Sequence, residues 1–223
     1  MTIQEAVLAR HSVRSYTDAP IEGETLRELE ESVSALNAES GLSMQLIRGD
    51  GKPFGGLLAM AGWLAGVKNY IAIVGPDSPD LDERCGYFGE KLVLRAQQLG
   101  LNTCWVAGTY NKGKCTAAVK PGEKLALVIT IGYGKNQGKP RKSKSLAAVC
   151  DCPGEMPDWF RRGAEFALLA PTAVNQQQFK LKLLPENRVH AAALIGAYSR
   201  IDLGIVKCHF EIGAGEGGWS WSE

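Results

Sequence analysis

The segment Arg10-His11-Ser12-Val13-Arg14-Ser15-Tyr16-Thr17 alternates cationic or potentially cationic side chains with hydroxyls. Guanidinium groups form paired, charge-assisted hydrogen bonds with phosphate oxygens, and a serine hydroxyl adds a further donor. The combination suits a phosphate ester. The plainer alternative is a solvated helix end, where basic residues are favoured by the helix dipole. A second basic stretch runs from Gly134 to Lys144 and contains Pro140-Arg141-Lys142. Alone it suits a solvated surface loop. To ligate the same phosphate it must approach Arg10.

Two neutral segments offer different chemistry. Ala170-Pro171-Thr172-Ala173-Val174-Asn175-Gln176-Gln177-Gln178 is rich in amides, which both donate and accept hydrogen bonds. It can match a heteroaromatic rim that carries carbonyl oxygens and ring nitrogens, or it can be a polar turn between helix and strand. Gly100 to Gly108 is an apolar strand candidate ending in Val106-Ala107-Gly108. Small residues there let a flat ring approach the backbone, though a buried strand has the same composition. His11 is the acid–base candidate of the first motif, and it reads as structural. The six cysteines include no CxxC. Cys150-Asp151-Cys152 is the one close pair; two thiols can bind a metal or respond to oxidants, but more often they pack.

These segments need elements to position them. Thr2-Ile3-Gln4-Glu5 fits a capping box, predicting a short helix to about Arg10, followed by loop to Ile21. Leu26, Leu29, Val33 and Leu36 share a helical face, predicting a helix over 24–37. Strands are expected over 44–48 and 70–74. A helix carrying the Phe88, Leu92, Ala96 and Leu99 stripe ends at Gly100, and strands follow over 103–107 and 125–133. The Pro- and Gly-bearing stretch 150–157 reads as a linker. Beyond it come a helix capped by Asp158, an amphipathic or edge strand over 179–184, helices over 188–198 and 202–213, and a Gly-rich end. Few strands among many helices predict an α+β fold, with a mixed or antiparallel sheet covered by helices.

The chain has 223 residues, 45% hydrophobic and 22% charged, with a net charge of +1. That is ordinary globular composition, with no global attraction to nucleic acid or anionic membrane. The apolar stretch Phe54 to Val67 is shorter than the roughly 20 residues a membrane span needs. No signal peptide is evident, so the expected location is cytoplasmic. An internal echo is present. Gly89 and Gly100 bracket one apolar helix, and Gly204 and Gly215 bracket another at the same spacing. Helix, polar turn, strand and helix thus occur twice in the same order, suggesting a duplicated half.

Taken together, these motifs resemble the FMN-dependent nitroreductase-like family. Arg10-His11-Ser12-Val13-Arg14 after a short helix resembles its opening signature. Gly100 to Gly108 resembles its flavin-edge segment, and Gly132-Tyr133-Gly134 with Pro140-Arg141-Lys142 resembles its C-terminal phosphate loop. Ala170 to Gln177 resembles its Pro-Ser-x-x-Asn-x-Gln turn. That turn usually follows the first helices, where this chain has Asn37-Ala38-Glu39-Ser40-Gly41 instead. The order resembles the TM-type nitroreductase group, in which two fused halves make an internal pseudo-dimer. On that basis residues 1–150 form a first half with the phosphate site, and 151–223 a shorter second half supplying the ring turn.

The resemblance implies an FMN oxidoreductase passing hydride from NADH or NADPH through flavin N5 to a small acceptor such as a nitroaromatic or quinone. Arg10, His11, Ser12, Arg141 and Lys142 would belong to the phosphate site, and Arg14 would sit near the pyrimidine edge. Pro171, Thr172, Asn175 and Gln177 would form the ring turn, and Val106, Ala107 and Gly108 would face N5. The family's frequent acidic residue near N5 is absent, and so is the proline-tryptophan after the turn, where Gln178-Phe179 stand. The flavin carries the chemistry, so no catalytic side chain and no metal are expected. The implied partners are small molecules, with neither nucleic acid nor membrane. The chain is expected to be a monomer with an internal pseudo-dimer, or a homodimer. The alternative is a flavin-binding storage or sensing protein with little turnover.

Overall fold

A computed structural model of the chain describes residues 1–57 and 63–222. Residues 58–62, within the apolar stretch 54–67, and residue 223, at the end of the expected second half, lie outside the described residues. Contacts group the chain into two compact units. One comprises Met1, Ala9–Leu81 and Leu92–Pro140; the other comprises Thr2–Leu8, Asp82–Lys91 and Arg141–Glu223. The units interleave along the chain, whereas the expected halves divide it once.

Helix α1 (Ile3–Ala9) starts as its capping box requires. The Glu5 N–H donates to Thr2 Oγ1 at 3.2 Å, and the Thr2 N–H donates back to Glu5 Oε2 at 2.7 Å. In the first unit, α2 (Gly23–Ser40) buries Leu29 and Val33. It stops at Gly41, whose φ of 68° lets its N–H reach Asn37 O. Strands β1 (Gln45–Ile47), β2 (Asn69–Pro76), β3 (Asn102–Val106) and β4 (Glu123–Gly132) form an antiparallel sheet in the order β1-β2-β4-β3. β2 and β4 are long apolar runs, and the two occupy the centre of the sheet, buried along most of their length. Tyr70, Ala72, Val74, Cys104, Val106 and Val128 join Val13 and Tyr16 of the basic motif in one apolar cluster.

Helix α3 (Leu81–Gln98) begins well before Phe88, where its apolar stripe first becomes evident. Asp82 and Glu83 occupy its first turn, where the helix dipole favours acids. In the second unit, β5 (Cys150–Asp151), β6 (Phe179–Leu184), β7 (Arg188–Ala193) and β8 (Ser220–Trp221) form a mixed sheet in that order. The single helical turn α4 (Leu146–Val149) precedes it, and α5 (Asp158–Ala167) and α6 (Ser199–Ala214) complete the unit. The α+β class with antiparallel and mixed sheets is as expected.

Several local expectations need correction. Residues 188–193 form β7, because pairing with β6 from Phe179↔Ala193 to Leu184↔Arg188 outweighs the helix propensity of its alanines. β6 is an interior strand rather than an edge, lying between β5 and β7. Cys150 and Asp151 of the expected linker pair in parallel with Leu181 and Lys182. Pro157 is the N-cap of α5, and Asp158 is a first-turn acid instead.

Glycines set the helix packing of this unit. A Cβ on Gly86 of α3 would lie 2.0 Å from Ile201 O, and one on Gly204 of α6 would lie 2.0 Å from Glu83 O. Between α5 and α6, a Cβ on Gly163 would lie 2.7 Å from the Phe210 ring. Only bare backbone permits these crossings.

Candidate functional site

In the first unit the basic motif docks on the edge of β3. Ser12 bridges Thr103 in parallel, and the Val13 N–H donates to Thr103 O at 2.9 Å. Ser15 bridges Ala65, and Tyr16 bridges Gly134. The buried Tyr16 hydroxyl donates to Val13 O at 2.7 Å and lies 2.8 Å from Thr130 Oγ1, fixing the turn of the motif. Burial pushes this phenol far above its ordinary range, so it serves as a neutral donor.

This docking gathers the motif's polar groups. Arg10 is buried at 3% exposure, His11 and Ser12 are half-buried, and Arg14 is exposed. His11 Nδ1 lies 3.0 Å from Ala9 O, a local bond that supports its structural reading. Cys104 marks the point of convergence. Burial pushes its thiol up, while the charges of Arg14 and Arg10 and a hydrogen bond with Ser12 pull it down. Val106 is buried at the end of β3, Ala107 is half-buried and Gly108 is exposed.

The start of the basic loop also approaches the motif. The Lys135 N–H donates to Ser15 O at 2.9 Å. Asn102 holds the loop, accepting from the Gly134 N–H at 3.0 Å and donating to Gln137 Oε1 at 3.0 Å. A Cβ on Gly138, whose φ is +77°, would lie 2.6 Å from His11 Cβ. The loop thus closes on His11 and Ser12 only because this position lacks a side chain. The Arg10 guanidinium, the Ser12 hydroxyl and the glycine-bearing loop folded on them fit a phosphate dianion by charge and donor type.

Beyond Gly108, residues Thr109 to Gly113 wall a cavity of about 690 Å³ together with Pro53, Phe54, Gly55, Leu57 and Leu64. Phe54 stacks on Tyr110 at 6.3 Å between ring centroids.

In the second unit the structure brings together Lys142 and the 171–177 turn. Asn175 Nδ2 and Gln177 Nε2 both donate to Lys142 O, at 2.8 and 3.0 Å. Gln177 Nε2 also donates to Asn175 Oδ1 at 2.9 Å, and Gln177 Oε1 accepts the Lys144 N–H at 2.8 Å. Thr172 Oγ1 accepts the Gln177 N–H at 3.1 Å. Pro171 and Gln177 are buried, Thr172, Asn175 and Arg141 are half-buried, and Lys142 is exposed. Val174, Asn175 and Gln177 all have left-handed backbones, with φ of 45°, 56° and 47°. Such conformations cost about 1–3 kcal/mol each and persist only where surrounding contacts hold them.

The residues that hold this turn were not singled out from the sequence. Asp202, 3% exposed, accepts the Ala173 N–H on both oxygens, and Gln176 Nε2 on Oδ2. Its sequence signal was a carboxylate inside the apolar run Ile201 to Val206. Tyr16, Thr130 and Asn102 were missed likewise, since each acts through a partner distant in sequence. Cys150 and Cys152 are free thiols, and burial pushes Cys150 up to about 11, which suits a packing role.

The fold is that of the nitroreductase-like α+β proteins, a class of oxidoreductases. The chain belongs to the family described as "Putative TM nitroreductase", whose model matches residues 2–214. It is similar in structure to a putative nitroreductase from Thermotoga maritima, at 21% identity and a TM-score of 0.70, covering 96% of this chain and 83% of that one. A putative nitroreductase from Desulfovibrio desulfuricans, in complex with FMN, aligns at 19% identity and a TM-score of 0.53, covering 70% of this chain and 98% of that one. A putative NADH dehydrogenase/NAD(P)H nitroreductase from Parabacteroides distasonis aligns at 18% identity and 0.51, covering 66% and 95%. At these identities the likeness shows the fold. No curated protein matches the chain. Among the described residues no helix is long and apolar enough to cross a membrane.

Proposed function

We propose that the chain binds FMN and works as an NAD(P)H oxidoreductase toward a small acceptor such as a nitroaromatic or quinone. The observation that carries this reading is the docking of the Arg10 to Tyr16 motif on β3 through Ser12 and Val13, with a glycine-lined loop folded against His11 and Ser12. That donor set suits a phosphate, and the family supplies the redox class. A relative of the same fold holds FMN, which supports flavin as the cofactor.

Arg10 and Ser12 bind the phosphate, with Arg141 and Lys142 as further ligands and His11 bracing the motif through Ala9. Arg14 would stand by the pyrimidine edge, where its positive charge would favour a reduced flavin. Pro171, Thr172, Asn175 and Gln177 present the turn to the ring rim, and Val106, Ala107 and Gly108 offer backbone to the N5 side. A bound flavin would supply the redox chemistry that links NADH or NADPH to the acceptor. Phe54 and Tyr110 line an apolar depression suited to a flat acceptor. The pseudo-dimer reading, with 1–150 and 151–223 as related halves, makes one complete site per chain.

Purification with FMN followed by a visible spectrum tests cofactor binding. Stopped-flow mixing of the holoprotein with NADH then tests turnover. A colourless protein that takes up no FMN removes the reading, while a yellow protein that NADH and NADPH leave oxidised favours the storage or sensing alternative.

A further inference from the structure

The amide-rich turn is built on three left-handed residues, one of them the β-branched Val174, which is 93% exposed and gains nothing from packing. Something must hold it in this shape. Gln176 faces the holder. Its Nε2 donates to Ala197 O at 2.7 Å and to Asp202 Oδ2 at 2.8 Å, which uses both of its hydrogens. Its amide also lies against Gly196, where a Cβ would come within 2.6 Å of Oε1. Asp202 in turn takes the Ala173 N–H at 3.0 and 3.1 Å on its two oxygens. One buried carboxylate in the first turn of α6 therefore holds the turn by backbone and by side chain.

We propose that Asp202 is the positioning residue of the 171–177 turn, holding the half-buried Asn175 in the geometry that meets the flavin ring. The inference rests on the flavin reading above. Burial raises the Asp202 carboxyl to about 6, although Gln176 and the Ala173 N–H both act to lower it. A carboxylate kept at such a cost, where a neutral residue would desolvate more cheaply, points to a task beyond packing.

The test is flavin binding by the full chain, followed by fluorescence, with FMN and with riboflavin. Riboflavin lacks the phosphate, whose own second ionisation near pH 6 would mask the effect. Asp202→Asn sets an amide N–H against a donor of the turn, so its affinity for riboflavin should fall about tenfold and the bound-flavin absorption bands should shift. In the wild-type protein, riboflavin affinity should decline as pH is lowered through about 6, and in Asp202→Asn it should be level. A variant with unchanged affinity, bands and pH profile overturns the proposal. Should that variant not fold, Gln176→Leu and the wild-type pH profile decide. Gln176→Leu removes one leg of the clamp and should weaken riboflavin several-fold, whereas unchanged affinity together with a level wild-type profile overturns the proposal. Wild-type protein that binds neither flavin overturns the flavin reading itself, a result distinct from flavin binding that ignores Asp202.

Discussion

Gly86 and Gly204 cross reciprocally. A Cβ on Gly86 would strike Ile201 O and approach Ile205 N at 3.1 Å, and one on Gly204 would strike Glu83 O and approach Tyr87 N at 2.7 Å. Each glycine thus meets the carbonyl three residues before the other and the amide one residue after it. That is the signature of a local two-fold axis between α3 and α6. The glycine that meets Gly204 in this crossing is Gly86, three residues before Gly89. Gly204→Ala should lower stability by about 3 kcal/mol or more, because the obstacle is backbone and cannot turn aside. Gly113→Ala, whose Cβ would meet only Asn111 Oδ1 at 3.5 Å, should be nearly neutral. Denaturant midpoints of the two variants check the contrast.

Four residues after Gly86, Glu90 meets His209 at 2.9 Å, and both side chains are fully buried. His209 Nδ1 lies 3.2 Å from Phe166 O, and Nε2 lies 2.9 Å from Glu90 Oε1. Glu90→Ala strands a buried imidazole and should cost about 3–5 kcal/mol. Glu90→Gln keeps a hydrogen bond to Nε2 and should cost clearly less. Equal losses for the two variants, measured by urea unfolding, would show that the pair does not carry stability.

Arg10→Ala should weaken FMN binding by roughly 10- to 100-fold, since each charge-assisted hydrogen bond contributes about 1.5–3 kcal/mol. A flavin titration of the folded variant gives the answer, and an unchanged dissociation constant takes Arg10 out of the site.

Asn175 is placed to act in two ways. Its amide bridges Lys142 and Gln177, so Asn175→Ala should lower apoprotein stability by about 1–2 kcal/mol. If it also meets the flavin, the holoprotein's reduction potential should shift. Melting curves of the apoprotein beside redox titration of the holoprotein separate the roles. A lowered melting point with an unaltered potential leaves Asn175 a purely local brace.

Asp202 predicts an unusual pH dependence of stability. Its folded value of about 6 lies above the ordinary 3.8, so the folded state holds the proton more tightly than the unfolded chain. The stability contributed by this group is therefore greatest below about pH 4 and is lost as pH rises through about 6, by about 3 kcal/mol at most. The carboxylates Glu5, Asp18 and Glu123 are held below their ordinary values, and their contribution is lost as pH falls instead. Subtracting the Asp202→Asn profile from the wild-type one isolates the Asp202 component. A difference that is flat from about pH 4 to about pH 7 contradicts the assignment.

Much of the chain was legible because its signals are local. The Thr2–Glu5 box closes within one turn, the Leu29 and Val33 stripe repeats at helical spacing, and β2 and β4 carry apolar runs over 70–74 and 125–129. Those signals placed Arg10 to Arg14 in a loop after a short helix and the amide turn between α5 and β6. Only the tertiary structure decided what depends on a distant partner. Residues 188–193 became a strand because β6 was there to pair with them. The small volume of Gly86 acquires meaning only where Gly204 crosses it. Asp202 holds Ala173 and Gln176 across nearly thirty residues of chain, and no periodicity in sequence records such a bond. Propensity and spacing report what a segment can do alone, whereas burial and hydrogen-bond partners exist only once the chain has folded back on itself.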